Sequence, residues 1–452
     1  MIDFSKIDRF SIPYDIYNRY LRFTHNYIYY KKVTIIGKEN IPPKGVPVFV
    51  ISNHQNGLMD ALAILYLFPD KRQPVFITRG DIFKRDIIAR IFRFLKMIPT
   101  FRSRDGNLND VRSNNLTFDI AANVLKRGGT IVMFPEAAHQ KGRYLGTFKK
   151  GFPRVALAAE EYADFKLDLQ ILPLNIHYSD YYNFREELLI TVGKPFKINQ
   201  FENLYKSEPN QAYLEVNELA RQKVKEMAVD EDPEFFNQYD SLRNMLHKSR
   251  VKEKGNNPND IVELKKEDML IVDGLDKMKH ENPGQFDKLM KLVEEYEIGI
   301  KNLRLRDWLI NKNITLLSLL LKSVGLLFMI PFFLFGLINN FIPFYIPEML
   351  KKKMEDRQLH ASLNYPPSVI LTFPLMYLII FILAWTISDK FWFAILYLIA
   401  AFLSLFVFYA LKKWFLKLKG TWHYYMLRRK QNQLLLHLMT IKKKILELTI
   451  SI

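Results

Sequence analysis

The first 200 residues alternate short apolar runs with amphipathic stretches. The runs of four to nine apolar residues predict strands, and the stretches with apolar positions three or four apart predict helices. We expect strands at 33–37, 46–52, 74–78, 130–134, 169–177 and 188–192, and helices at 61–68, 81–95, 114–126 and 152–162. Strands that alternate with helices predict an α/β domain with a mixed, largely parallel sheet flanked by helices, over residues 33–200.

Residues 1–32 precede this domain and combine aromatic residues with Arg19 and Arg22. Tyr14, Leu21 and Ile28 recur at helical spacing, which predicts an amphipathic helix. Such a helix either lies on a lipid surface or packs on the domain, and the pattern fits both. The first ten residues do not show the charged and then apolar pattern of a secretory signal peptide, so we expect the front of the protein in the cytosol.

Charged and apolar residues separate sharply after residue 200. Residues 201–312 are rich in Lys, Glu and Asp and predict a charged helical region interrupted at 255–260 and 281–284. Residues 313–411 predict a membrane region. Within it, 366–388 and 391–411 carry no charge and are long enough to cross the hydrocarbon layer.

The first apolar stretch, 314–347, has two interpretations. Residues 348–365 carry several Lys and Arg, and the positive-inside rule places them in the cytosol. We therefore expect 314–347 to enter and leave the membrane on the cytosolic side, interrupted at Pro331, with Asn339 and Asn340 supporting non-helical backbone. The alternative is one plain transmembrane helix.

The tail and the composition both point to an anionic partner. Residues 412–446 hold ten Lys or Arg and no acid, which predicts that the tail 412–452 is a basic interfacial segment. The formal net charge of the chain is +18. Because no zinc-finger, basic-zipper or RNP pattern is present, we expect membrane lipids as partners and no nucleic acid. The chain has no cysteine, which excludes a Cys nucleophile and a thiolate metal site.

The segment 52–60, SNHQNGLMD, carries the first candidate chemistry. A buried strand ends there and presents Asn53 and His54, and Asp60 lies at the start of the next helix. A histidine base needs an acceptor on its second ring nitrogen, which fixes the tautomer and stabilises the imidazolium. We expect His54 and Asp60 to be catalytic and Asn53 to contact substrate; alternatively, His54 caps the helix.

Two further segments suit a phosphate-bearing substrate. In 134–152, Glu136 follows an apolar strand and either orients the acceptor or anchors the pocket, and Lys149 and Lys150 offer positive charge beside a helix start. In 96–106, Arg102 and Arg104 are planar donors suited to bidentate phosphate binding. The alternative for each of these cations is a solvated surface group. We expect no metal site and no resident cofactor.

Together these blocks resemble the glycerophospholipid acyltransferase family, the lysophosphatidic acid acyltransferase group in particular. His54 and Asp60, the arginine block, FPEA (134–137) and the Pro-bearing strand ILPLNIHY (171–178) match the family pattern in order and spacing. The resemblance implies that His54 is the general base, that Asp60 is its partner, and that the acceptor hydroxyl attacks a thioester directly. The missing Cys and the missing GxSxG motif agree with that direct attack.

The chain departs from the family pattern at two positions. Five residues, not four, separate His54 from Asp60, and we expect Gly57 to absorb the extra residue in a turn. Ala137 stands where the family has glycine, which is costly if the backbone φ angle is positive there. The longer spacing also resembles glycerol-phosphate or dihydroxyacetone-phosphate acyltransferases with C-terminal membrane segments.

The resulting expectation is transfer of a fatty acyl group from acyl-CoA or acyl carrier protein to glycerol-3-phosphate or lysophosphatidic acid. The membrane is expected to be the bacterial inner membrane, or the endoplasmic reticulum in a eukaryote. One alternative keeps the enzyme and changes the acceptor to another lysolipid, such as a lyso-aminolipid. A second alternative is a non-catalytic membrane scaffold.

Overall fold

A computed structural model provides the three-dimensional structure of the chain. It describes residues 4, 6–68, 71–83, 85–100, 108–138, 140–354, 362, 365, 372–450 and 452, and no side chain is described for 108–116. The chain divides into two compact units, Met1–Asp230 and Glu231–Ile452.

The first unit is built on one sheet, which in the described residues has eight strands. They are β1 (Lys32–Ile36), β2 (Val48–Ser52), β3 (Val75–Arg79), β4 (Met97–Thr100), β5 (Thr130–Met133), β6 (Gln170–Tyr178), β7 (Glu187–Val192) and β8 (Phe196–Lys197). The order is β1-β7-β6-β2-β5-β3-β4, and β8 also pairs with β6. All pairs are parallel except β6 with β7 and with β8. The predicted mixed, largely parallel sheet is confirmed.

Strand β2 lies at the centre of this sheet, with β5 and β6 parallel to it on either side. All five of its residues are buried, because helices cover both faces of a parallel sheet. Phe49 and Ile51 face a core formed with helices α4 (Leu108–Lys126), α5 (Gly151–Glu161) and α7 (Pro209–Lys225). This packing fixes the position at which β2 ends.

Helices α1 (Ile12–Phe23), α2 (Leu58–Leu65), α3 (Asp86–Phe94) and α6 (Glu202–Ser207) complete the unit. The predicted helix 81–95 is divided into a 3₁₀ turn, Gly80–Phe83, and α3. The apolar pattern did not indicate β4 and β8, which are short. Strand β4 is an edge strand, and β8 pairs with the first residues of β6.

Helix α1 is amphipathic, as the spacing of its apolar residues predicts. Tyr14 and Leu21 are buried, and a π-helical turn, Thr24–Tyr29, continues the helix. The buried face of the helix therefore packs on the domain, which is one of the two interpretations of residues 1–32.

The predicted boundary at residue 200 was wrong. Helix α7 buries Ala212, Val216, Ala220 and Val224 in the core of the first unit. These residues are spaced by four, so they form one apolar stripe that packs on the sheet domain. The high charge of residues 201–230 is confined to the other faces of α6 and α7, and this charge concealed the stripe.

The second unit is helical in its described residues. Its helices are α8 (Phe236–Glu253), α9 (Ile261–Glu281), α10 (Pro283–Asn302), α11 (Leu316–Phe328), α12 (Ile330–Lys351), α13 (Phe373–Ser388), α14 (Phe391–Arg429) and α15 (Gln433–Leu448). Two of them, α12 and α14, are long and apolar enough to cross a membrane. Helices α11 and α13 are shorter and also apolar.

The stretch 314–347 is interrupted at Met329, two residues before Pro331. The backbone at Asn339 and Asn340 is helical, so the non-helical backbone expected there was wrong. Their amides donate to carbonyls one turn earlier, at Phe335 and Gly336. Helix α12 thus continues through both asparagines, and its 22 residues extend about 33 Å, enough to cross the membrane alone. The re-entrant path itself stays a prediction.

Residue 411, the predicted end of the second membrane-spanning segment, lies inside a continuous helix, and the boundary stays a prediction. Helix α14 continues from the apolar segment to Arg429. Beyond it, α15 buries Leu435, Leu438 and Ile445 and packs on α10, where Gly299 meets Leu438. An interfacial position for the basic tail 412–452 stays a prediction.

Candidate active site

The candidate site begins where β2 ends at the centre of the sheet. Asn53 and His54 follow the strand, and α2 begins four residues later. The chain reverses at Gly57, whose φ and ψ of 49° and −122° lie in a region that side chains rarely adopt. The turn that the sequence predicts at Gly57 is thus present between His54 and Asp60.

His54 and Asp60 are in direct contact. The ring Nδ1 of His54 lies 2.9 Å from Oδ2 of Asp60. Asp60 is fully buried and His54 is partly exposed. An aspartate on Nδ1 holds the ring in the tautomer whose Nε2 accepts a proton.

The Asp60 carboxylate is held by three other donors. The backbone N–H groups of Gln55 and Asn56 donate to Oδ2, at 2.8 and 2.7 Å. The hydroxyl of Tyr178 donates to Oδ1 at 2.7 Å. Burial raises the pKa of Tyr178 well above its ordinary range, and the neighbouring Asp60 adds to the effect. The hydroxyl thus keeps its proton and acts as a donor.

The imidazole ring of His54 is also held from one face. Phe134, the residue after β5, stacks on it with a centroid distance of 4.3 Å and an interplanar angle of 18°. The backbone N–H of His54 donates to Oε1 of Glu136 at 2.9 Å, and its carbonyl accepts from the N–H of Gln140. The segment 134–140 therefore positions the ring and the main chain of His54 together.

Glu136 anchors this loop. Its Oε2 accepts from the N–H of Gly146 at 2.9 Å, so the two carboxylate oxygens join His54 to the far end of the loop. A Cβ atom at position 146 would lie 2.7 Å from Oε2, so a larger residue there would displace this carboxylate. Burial raises the pKa of Glu136 from 4.5 to about 7, although the hydrogen bonds from His54 and Gly146 oppose the rise. Of its two expected roles, this geometry matches the anchor.

Ala137 has a φ of 59°, the left-handed region that costs a residue with a Cβ atom about 1–2 kcal/mol. Its backbone N–H donates to the carbonyl of Phe134, which closes a turn. The unfavourable backbone conformation that the sequence led us to consider for Ala137 is therefore present. The turn that follows Glu136 forms at the energetic cost of this strained residue.

The other predicted contact residues have different surroundings. Asn53 is buried, and its amide exchanges two hydrogen bonds with the main chain of Ile176 in β6. Lys149 and Lys150 are exposed, just before α5, and the Lys149 N–H donates to the carbonyl of Pro135. Arg102 and Arg104 lie outside the described residues. The substrate contacts assigned to all five residues stay predictions.

Sequence reasoning missed three groups beside the site: Tyr178, Gly146 and Arg143. Arg143 donates to the carbonyl of Tyr178 at 2.9 Å, and its guanidinium lies over the Tyr181 ring. Tyr178 ends the strand that carries Pro173, so the ILPLNIHY block contained it without indicating its role. Among the described residues, no cluster of three or more His, Asp or Glu side chains could hold a metal.

Comparison with known families adds to this geometry. Residues 32–177 match the family described as Acyltransferase. These residues form an acyltransferase-family domain. The match begins at β1 and ends in β6, so it contains His54, Asp60 and Glu136 together with the central strands. Curated proteins and a solved structure also resemble part of this chain.

Two plant proteins illustrate the similarity. The chloroplastic 1-acyl-sn-glycerol-3-phosphate acyltransferase LPAT1 of Arabidopsis thaliana is 32% identical over 125 residues, which cover 28% of this chain and 32% of that protein. The chloroplastic 1-acyl-sn-glycerol-3-phosphate acyltransferase BAT2 of Brassica napus is 28% identical over 146 residues, 30% of this chain and 40% of that protein. The chain thus spans only about a third of the length of these relatives.

Among solved structures, the 1-acyl-sn-glycerophosphate acyltransferase PlsC from Thermotoga maritima is similar, with 21% sequence identity and a TM-score of 0.32. The superposition covers 47% of this chain and 78% of that one.

Proposed function

We propose that this protein transfers a fatty acyl group from an acyl thioester to a hydroxyl of lysophosphatidic acid or glycerol-3-phosphate. The observation that carries the proposal is the contact of 2.9 Å between His54 Nδ1 and Asp60 Oδ2 at the end of the central strand. The names of the plant relatives favour lysophosphatidic acid, which is a 1-acyl-sn-glycerol-3-phosphate.

In the proposed reaction, His54 Nε2 removes the proton of the acceptor hydroxyl while its oxygen attacks the thioester carbonyl carbon. Asp60 stabilises the resulting imidazolium through Nδ1. The tetrahedral intermediate collapses, the C–S bond breaks, and the departing thiolate takes the proton from Nε2. An ester and a free thiol are formed, and no acyl-enzyme is needed. The role of Glu136 is to hold the main chain of His54.

Recognition of the acceptor phosphate is assigned to Lys149 and to Arg102, with Lys150 and Arg104 as additional cations. The described lysines are exposed and precede the N-terminus of α5, where backbone N–H groups favour an anion. The donor is acyl-CoA or acyl carrier protein, and no resident cofactor or nucleic acid takes part.

The protein is proposed to be integral to the membrane, with its acyltransferase domain in the cytosol. The length and composition of the apolar helices α12 and α14 support the attachment to the membrane. The proposed cytosolic side rests on the positive-inside rule. A soluble donor and a lipid acceptor would meet there at the membrane surface.

The test is turnover of the full chain in neutral detergent, with a panel of acceptors and one acyl-CoA donor. His54→Ala should reduce kcat by roughly 10²–10⁴. Asp60→Asn should reduce kcat with little change in the acceptor KM, because Asp60 contacts the base and not the substrate. The exposed His437→Ala is the matched control and should retain full activity. Near-normal turnover by a folded His54→Ala protein would contradict the assignment of His54 as the base. Absence of turnover with every acceptor, together with full cellular function of His54→Ala, would favour the scaffold.

The acceptor panel separates the alternatives within the enzyme class. Lys149→Ala should raise the acceptor KM more than the donor KM, since it removes a phosphate contact only. Lys166→Ala, on an exposed turn remote in sequence from the site, is the control. A preference for a lysolipid without a phosphate monoester would instead show that these cations serve another acceptor.

A further inference from the structure

A cavity of about 230 Å³ lies in the first unit, apart from the candidate active site. Its wall comes from the connection between β1 and β2 and from the segment between α2 and β3. The lining residues are Arg22, Ile35, Lys38, Ile41, Pro42, Pro43, Tyr66, Leu67 and Arg72.

The sheet topology places this cavity at the opposite edge from His54. Strand β1 is parallel to β7, β7 is antiparallel to β6, and β6 is parallel to β2. Strand β1 therefore runs opposite to β2, so its end and the start of β2 share one edge. His54 follows the other end of β2. The five residues of β2 separate the two edges by about 16 Å.

The cavity joins three cations to an apolar wall. Arg22 and Lys38 are exposed, and Arg72 is buried, at 7% exposure. Arg72 donates to the carbonyl of Pro42 at 2.9 Å, and its guanidinium lies 4.9 Å from the Phe68 ring centre, so the group is held in place. Among the described residues that line the cavity, none is acidic. The cavity therefore suits an anion attached to an apolar group.

We propose that this cavity binds the phosphate group of an anionic phospholipid, with Arg22, Lys38 and Arg72 on the phosphate. The ligand lies against Ile35, Ile41 and Leu67 with its carbon atoms nearest the headgroup. The size fits, because an apolar cavity of about 150 Å³ already holds one benzene molecule. A phosphate alone would leave the apolar part of the wall uncovered.

A lipid source is favoured over a free anion by helix α1, which contributes Arg22. Its outward face carries Ile12, Ile16, Tyr20 and Phe23, each 37–66% exposed. They recur every three or four residues and form one apolar stripe. Such a stripe beside basic residues is typical of a helix that lies in the lipid interface. The cavity and this stripe would meet the same membrane surface, so the bound lipid would fix the domain on it without taking part in the reaction.

The experiment measures thermal unfolding of the full chain in neutral detergent with short-chain probes. The probes are dioctanoyl phosphatidylglycerol, dioctanoyl phosphatidylcholine and inorganic phosphate. A ligand that binds only the folded state raises Tm with its concentration. We expect phosphatidylglycerol to raise Tm and the other two to have little effect. Arg22→Gln with Lys38→Gln should weaken the response at least tenfold, since both side chains are exposed and their loss leaves the core intact.

Lys32→Gln with Lys44→Gln is the matched control, because it removes two exposed charges from the same segment outside the cavity lining. Its response to phosphatidylglycerol should equal that of the unmodified protein. Equal responses from both double variants would place the lipid elsewhere, including the active site, and overturn the proposal. Equal stabilisation by inorganic phosphate, lost in Arg22→Gln with Lys38→Gln, would assign the cavity to a free anion and overturn the lipid.

Discussion

Tyr178 donates its hydroxyl to Oδ1 of Asp60 at 2.7 Å, while Oδ2 of the same carboxylate faces His54. The two residues lie 118 positions apart in the chain. They meet because β2 and β6 are parallel neighbours in the sheet. The orientation of the proposed base, His54, therefore depends on strand β6 through Tyr178 and Asp60. This dependence does not require a contact between β6 and the substrate.

Tyr178→Phe should therefore lower kcat and leave the acceptor KM nearly unchanged. The lost hydrogen bond to a buried carboxylate should also reduce the free energy of unfolding by about 1.5–3 kcal/mol. Initial rates and urea unfolding in detergent measure both effects. Tyr162→Phe is the matched control, since its hydroxyl donates to Asp119 at an exposed site, and it should change neither. An unchanged kcat in Tyr178→Phe would show that His54 and the two backbone donors hold Asp60 without it.

Glu136 should make stability depend on pH. Its pKa is raised to about 7 in the folded chain from an ordinary 4.5, so the folded state binds this proton more tightly than the unfolded state. The resulting stabilisation is fully present below pH 4.5 and is lost as the pH rises through about 7. Its full size is on the order of 3 kcal/mol.

Glu136→Gln removes this titration and also one of the two acceptors for His54 and Gly146. We expect the difference in Tm, the value of the unmodified protein minus that of the variant, to decrease as the pH is raised from 5 to 8. A difference in Tm that is constant or that rises with pH would mean that Glu136 stays ionised throughout.

Ala137→Gly should stabilise the protein. Glycine adopts the observed φ of 59° without the steric cost of a Cβ atom, and part of the gain is offset by the greater freedom of the unfolded chain. The net increase in the free energy of unfolding should be up to about 1 kcal/mol. Ala158→Gly, inside α5, is the same chemical change in a helix and should cost about 0.5–1 kcal/mol. Destabilisation by both variants would contradict the strained turn.

Asn340 joins three apolar helices. It donates to Ser404 Oγ at 3.1 Å on α14, and its Oδ1 accepts from the Tyr377 hydroxyl at 2.8 Å on α13. Asn340→Ala should reduce resistance to unfolding in mixed detergent by about 0.6–2 kcal/mol. Asn339→Ala removes an amide that donates to a carbonyl of its own helix, at Phe335, and should have a smaller effect. An effect as large at Asn339 would mean that contacts between helices do not set the cost.

Membrane topology can be tested with single cysteines, because the natural chain has none. On the positive-inside rule we expect Lys352→Cys, after α12, to be protected from an impermeant maleimide added outside intact cells. Lys390→Cys, in the turn between α13 and α14, should be labelled. The reverse pattern would show that α12 crosses the membrane alone, which its length allows.

The sequence alone determined the features that depend on local pattern. Apolar runs defined the central strands, and the end of β2 placed His54. Gly57 and Ala137 were recognised as backbone exceptions because a residue's φ preference is a property of that residue. The apolar helices were also predictable, because the absence of charge and the length of a segment can be read directly from the sequence.

Tertiary structure decided the features that depend on distant partners. Asn53 was expected on the substrate and exchanges hydrogen bonds with Ile176, and Tyr178 meets Asp60 only because β6 lies beside β2. The apolar stripes of α7 and α15 were likewise concealed by charged residues on their other faces. Only their packing partners show that α7 belongs to the first unit and that α15 packs on α10. Pairing across the sheet and between helices is set by the folded chain as a whole, so no local window of sequence contains it.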